Sequence, residues 1–213
     1  MENIEQIVLE ILSRVQEKVH LESEAAGIEV EMSARHIHLS QEHLEALFGK
    51  GYELTPRKNL SQPGQYASEE RVTVVGPKGM IQNVRILGPI REESQVEMSL
   101  SDLRILGLTA EIRESGHLSG TAAVTLINGN HVALLEQGLI VAKRHVHMSV
   151  EDAAKYGLEN GQIVKVKVNG KRPLIFDDVV IRVSDKFATC MHLDTDEANA
   201  CGYFIGMHGE FIS

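Results

Sequence analysis

Apolar residues recur near the start of the chain at Ile4, Ile7, Val8, Ile11, Leu12, Val15 and Val19, with Glu, Gln, Arg and Lys between them. Spacing by threes and fours predicts an amphipathic helix over residues 2–20. The small, polar stretch LESEAAG then reads as a tether to a strand at Ile28 to Met32. Beyond it the apolar period shortens to two. RVTVVGPKG, NVRILGP, AAVTLINGN, GLIVAKRHVH, GQIVKVKVNGK and DVVIRVS alternate or run apolar and are punctuated by glycine, which predicts short strands. VTLINGNHVALL sets Asn-Gly between two apolar runs, a hairpin signal. Helices are expected to be short and few, the clearest in SQEHLEALFG and SVEDAAKYG; each of these opens at a Ser with an acid soon after and closes at a Gly. Many short strands with few helices point to compact barrels or sandwiches, not an alternating βαβ sheet.

Two of these segments repeat each other. Arg35-His36-Ile37-His38-Leu39-Ser40 aligns with Arg144-His145-Val146-His147-Met148-Ser149, 109 positions later, and both run into a helix. A duplicated half is the simplest account. In each copy a His-x-His at a strand end sends both imidazoles to one face, with the intervening aliphatic residue pointing the other way. Two nitrogens on one face can grip a metal ion. A single His-x-His is weak evidence, but here the histidines themselves are duplicated, so metal binding is the better reading.

Catalytic zinc sites take three protein ligands and leave a position open. The third donor in the second half is read as His192, in ATCMHLDTDEANA, and the equivalent place in the first half supplies Glu97, in SQVEMSLSD. Both are followed by an apolar residue and then a polar run able to cap a helix. The expected arrangement is two facing sets, His36, His38, Glu97 and His145, His147, His192. Imidazoles with one carboxylate suit zinc, while ligand type alone also admits cobalt, iron or manganese. Cys190 is read as a buried small hydrophobe. Arg35 and Arg144 alternate away from the histidine face and are read as supporting the ligands from behind or as structural.

Charge narrows the function. Twenty-one basic against thirty acidic side chains leave a net charge of −9, and aromatic residues make up only 4%, with no Trp. This disfavours nucleic acid and anionic membrane surfaces as partners. Two cysteines make no disulfide framework, and no signal peptide or apolar span of membrane length is seen. The expected compartment is the cytoplasm.

The chain resembles the PduL-type phosphotransacylases, the phosphate propanoyltransferases of bacterial microcompartments. The likeness covers residues 28 to 206 and rests on SARHIHLS, QPGQYA, VTVVGPKG, NVRILGPIREESQVEMS, SGHLSGT, VAKRHVHMS and MHLDTDEANA in one order. It implies reversible transfer of a short acyl group, propanoyl or acetyl, between coenzyme A (CoA) and phosphate. It implies two zinc ions on His36, His38, Glu97, His145, His147 and His192. It also implies a mainly β fold with short helices: two small β-barrels related by internal duplication, the active site between them and the amphipathic helix outside. The expected division is 1–25 as helix and tether, 26–40 with 138–213 as one barrel, and 41–137 as the other. Under the resemblance Arg91 binds phosphate through a guanidinium fork, and Gln62, Gln65 and Ser115 contact thioester or pantetheine.

The bare ligand set fits a second enzyme class nearly as well, a dizinc hydrolase in which water attacks an ester or thioester. The expected partners are acyl-CoA, CoA, phosphate or acyl phosphate, and further copies of the chain in a homo-oligomer. The stripe over 4–19 has two readings. It packs on the body or across an interface, or, as the resemblance suggests, residues 1–22 dock on a microcompartment shell and place the enzyme in its lumen.

Overall fold

The computed structural model describes residues 27–212, so the helix expected over 2–20 lies outside the described residues. Along the chain come β1 (Ile28–Met32), β2 (His36–His38), α1 (Gln41–Phe48), β3 (Pro56–Asn59), β4 (Tyr66–Val75), β5 (Met80–Gly88), β6 (Gln95–Glu97), α2 (Leu100–Leu106), β7 (Ile112–Arg113) and β8 (Ala122–Asn128). The same order then recurs without the counterparts of β3 and β7: β9 (His131–Ala142), β10 (His145–Met148), α3 (Val150–Tyr156), β11 (Ile163–Val168), β12 (Leu174–Val183), β13 (Cys190–Leu193), α4 (Thr195–Cys201) and β14 (His208–Ile212). Among the described residues no helix is long and apolar enough to cross a membrane.

The strands close into two six-stranded barrels, as the resemblance implied. One runs β4-β5-β2-β6-β9-β8 and back to β4, with β3 and β7 on its edges; the other runs β1-β13-β10-β12-β11-β14 and back to β1. The pairings match one for one. β2 lies between parallel β5 and antiparallel β6, as β10 lies between parallel β12 and antiparallel β13. The first strand of each repeat is exchanged: β1 is parallel to β13 and β9 is parallel to β6. The chain therefore crosses between barrels immediately before each His-x-His, at Ser33 to Arg35 and at Lys143 to Arg144.

This exchange revises two expectations. GLIVAKRHVH is not one strand, because its two parts pair in different barrels. The barrel boundaries also differ from the expected division: His36 to His38 and Gly138 to Ala142 both belong with the barrel of residues 56–128. Apolar runs show that strands exist, whereas strand exchange is decided by which edges are free to pair.

The duplication reaches below visible sequence identity. β5 and β12 each carry a bulge against the preceding strand, and in each the residue with positive φ is an Asx, Asn83 (φ 60°) or Asp178 (φ 55°), which tolerates the left-handed region. Every helix among the described residues is capped as its sequence dictates, by Ser40, Ser99, Ser149 and Asp194. Arg35 pairs with Asp102, the capping-box acid of α2, at 2.9 Å, and Arg144 with Glu197, its counterpart in α4, at 2.6 Å. Each arginine thereby ties its histidine strand to the helix that follows the third donor, the structural role expected from alternation.

Separate cores fill the barrels. Ile37, the residue between the first two histidines, is wholly buried in one, and Val146, between the second two, in the other. Gly138 marks a close crossing of β9 over the segment leading into β6. Its φ is 121°, and an added Cβ would stand 2.4 Å from the Ser94 carbonyl oxygen. Gly138→Ala should therefore cost at least about 2 kcal/mol, read from the midpoint of chemical denaturation.

Candidate metal centre and substrate cleft

Strand register sets the donors in place. In the antiparallel β2–β6 pair His36 stands opposite Glu97, and in β10–β13 His145 stands opposite His192. His38 and His147 follow two residues on and share the face. Donor atoms of His36, His38 and Glu97 lie within 4.8 Å of one another, as do those of His145, His147 and His192. Thus all six residues read from the sequence converge as two sets of three.

The rings are held in defined tautomers. His36 Nδ1 lies 2.8 Å from the Ala34 carbonyl oxygen and His145 Nδ1 lies 2.8 Å from that of Lys143. A carbonyl only accepts, so each Nδ1 carries the proton and each Nε2 presents its lone pair. By contrast, Nδ1 of His38, Nδ1 of His147 and Nε2 of His192 are buried without any protein partner. An unsatisfied buried polar atom costs about 1–3 kcal/mol. Three orphaned nitrogens in two compact donor sets are what a pair of cations would satisfy, so the residues fit the zinc ions expected from the resemblance.

Charge is distributed unequally. Burial would raise the Glu97 carboxyl, but His36 Nε2, 3.5 Å away, holds it far below the carboxylate range. Burial alone would lower His36, and Glu97 reverses that to a net rise. His38 and His145 are pushed down, chiefly by burial. Burial and the neighbouring imidazoles take His147 down to about 2 and His192 to about 3. At neutral pH these four rings are neutral lone-pair donors.

All six donors line one cleft of about 490 Å³ between the barrels, and so do Arg91, Gln62, Gln65 and Ser115. The Arg91 guanidinium donates to Ser115 Oγ at 3.0 Å. Gln62 is already engaged: its side-chain amide bonds both ways with the Ala188 peptide, at 3.0 and 3.3 Å, and so straps the loop before β4 to the other barrel. Gln65 lies beside it in the cleft wall. Of the other candidates, Lys143 pairs with Asp178 at 3.0 Å. Cys190 is buried, and burial pushes its thiol up, in keeping with a core residue.

Three contributors were not anticipated. Gln95, almost wholly buried, donates to Glu97 Oε1 at 2.5 Å and to Ser115 Oγ at 2.8 Å, linking the carboxylate to the loop that holds Arg91. Arg182 projects into the cleft from the apolar strand β12, and Phe187 lies with its ring centroid 4.1 Å from that of His147. An arginine inside the apolar run VVIRVS was the visible signal for Arg182. Nothing local marked Gln95, whose role depends on where Ser115 is brought.

The sequence model of the phosphate propanoyltransferase family matches residues 29–204. The chain belongs to that family. Two proteins named phosphate propanoyltransferase illustrate the relationship: one from Enterococcus faecalis is 56% identical over 212 residues, covering 100% of this chain and 98% of its own length, and one from Listeria monocytogenes is 51% identical over 207 residues, covering 97% and 96%. A further phosphate propanoyltransferase, from Thermotoga maritima, is 54% identical over 191 residues, 89% of this chain and 91% of its own. The phosphate propanoyltransferase match includes strands of both barrels and all six residues of the two sets described above.

Depressed histidines fix the sign of a pH effect. After chelator treatment, the unfolded chain takes up protons at these imidazoles below pH 6.5, whereas folded His192 and His147 resist protonation until about 3 and about 2. Stability from His38, His145, His147 and His192 is therefore complete above pH 6.5 and lost on acidification, at up to about 1.4 kcal/mol per pH unit for each group. Glu97 adds to the loss below its ordinary value of 4.5. His36 acts oppositely, contributing below pH 6.5 and fading as pH rises through its elevated value. Four imidazoles outweigh one, so urea midpoints of the chelated protein should fall from pH 7 to pH 4.

Proposed function

We propose that this chain is a phosphate acyltransferase that reversibly converts a short-chain acyl-CoA, propanoyl or acetyl, and phosphate into acyl phosphate and CoA at a dinuclear zinc centre. The observation that carries the reading is the convergence of two three-donor sets with Arg91 and Arg182 on one cleft between the barrels. Membership in the phosphate propanoyltransferase family supports the reaction class. His36, His38 and Glu97 would hold one ion and His145, His147 and His192 the other. When bound, the pair supplies a fixed positive field and Lewis acidity at the reacting carbonyl.

The chain's own residues position the anion. Arg91, anchored by Ser115, keeps N–H groups free to fork onto phosphate oxygens. Arg182 is placed as a second cation; Phe187 lies near its guanidinium at 5.9 Å and Glu114 at 4.0 Å. Gln65 and Ser115 face the thioester and pantetheine. Phe187, Leu60 and Leu87 give the acyl chain an apolar wall. With these groups fixed, a phosphate oxygen attacks the thioester carbonyl: a C–O bond forms, the C–S bond breaks, and the proton of phosphate ends on the CoA sulfur. Orientation replaces a protein nucleophile.

Acyl-CoA supplied with and without phosphate tests the assignment. Release of free CoA only when phosphate is present selects transfer; release without it selects hydrolysis. His147→Ala or Glu97→Ala should lose bound metal and turnover together. Arg91→Ala should keep the metal and raise the phosphate requirement by about 10- to 100-fold, the worth of a charge-assisted hydrogen bond. Metal lost from the Arg91 variant, or full activity in the His147 variant, would contradict these roles.

The amphipathic pattern precedes the residues that the family model matches, 29–204, and supports a further assignment, that residues 1–22 address the enzyme to a microcompartment shell. Deleting them should spare turnover and abolish recruitment to the shell; an inactive, aggregated product would instead show a structural role.

A further inference from the structure

The two donor sets are alike in place and unlike in charge. In the first, Glu97 is itself a donor, and the residue opposite it on parallel β9 is Ile140, fully buried. In the second, the corresponding donor is His192, and the residue opposite it on parallel β1 is Glu31. The duplication has thus moved its carboxylate one strand outward.

His192 also lacks the backbone carbonyl contact that orients His36, opposite Glu97, and His145. His36 and His145 each give Nδ1–H to a carbonyl two residues back. For His192 the orphaned, buried atom is Nε2, and Nδ1 faces Glu31 Oε2 at 4.0 Å. That separation exceeds a direct hydrogen bond, and a small adjustment of the Glu31 side chain, about one-third exposed, closes it. Glu31 is held in turn by Ser61, whose hydroxyl donates to Oε2 at 2.6 Å. Ser61 sits in the loop before β4, which the second repeat lacks and which forms part of the cleft wall.

We infer that Glu31 is a positioning residue for the second metal site, accepting the Nδ1–H of His192 so that Nε2 is aimed at the cation, and supplying that site's missing negative charge. The inference rests on the dinuclear reading above. Carboxylate behind imidazole is the arrangement that fixes ring orientation and raises ligand basicity at zinc sites. It also ties the asymmetric loop of one barrel to a donor of the other through Ser61 and Glu31.

Zinc competition against a chromogenic chelator, resolving each equivalent, provides the test on the full-length protein. Wild type should hold two equivalents. Glu31→Ala should weaken one of them by about 10- to 100-fold and leave the other unchanged. Glu31→Gln, which keeps an acceptor oxygen without the charge, should recover part of the loss. Thermal unfolding of the chelated Glu31→Ala protein should match that of chelated wild type. Cys190→Ser should behave as wild type, because the thiol, although near Glu31 and His192, has no part in this scheme. Unchanged affinities in Glu31→Ala, or equal weakening of both equivalents together with a lower melting temperature, overturn the inference while leaving the dinuclear centre standing. A loss in Cys190→Ser as large as in Glu31→Ala makes Glu31 a ligand with Cys190 and overturns the positioning role. Fewer than two equivalents in wild type overturns the dinuclear reading, and this inference with it.

Discussion

Burial of one aliphatic side chain between two histidines is the constraint on which the site depends. Ile37 and Val146 are each buried without exposure in their own barrel cores. A strand's side chains alternate, so fixing the middle residue inward forces both flanking imidazoles outward onto one surface. A slip of one residue would send the rings into an apolar core and the aliphatic group into the cleft, an outcome penalised on both sides. Donor geometry is therefore held by the same burial that holds the barrels.

Strand exchange turns two such surfaces into one site. Because β1 and β9 each complete the opposite barrel, the chain enters each His-x-His directly from a crossing, and the two crossings lie side by side between the barrels. The Arg35–Asp102 and Arg144–Glu197 pairs then lock each crossing to the helix that follows the third donor. Asp102 is buried at its helix start, so parting it from Arg35 would leave a buried charge uncompensated.

Departures from symmetry are where recognition is built. Glu97 and His192 occupy equivalent places with different charge, and only the first repeat carries β3 and the loop with Ser61, Gln62 and Gln65. That loop crosses to the other barrel through Gln62 and Ala188. Two like donor sets can share a similar grip on cations, whereas a thioester and a phosphate are unlike groups and need unlike walls. The acidic chain nonetheless brings Arg91 and Arg182 to the cleft, so the local field opposes the net charge of −9.

Much of this was legible in the residues. Period-two apolar runs, the duplicated Arg-His-x-His-x-Ser and the capping sequences after Glu97 and His192 are local features whose physics acts within a few positions, and they marked strand content, helix starts and the six side chains that converge in two sets of three. The exchange of β1 and β9 was decided only in three dimensions, because pairing depends on which strand edges remain free once each barrel closes. So were the bond of Gln95 to Glu97, the diversion of Gln62 to Ala188 and the place of Glu31 opposite His192. Each joins groups whose approach follows from register across a barrel or between barrels, and no spacing along the chain encodes it.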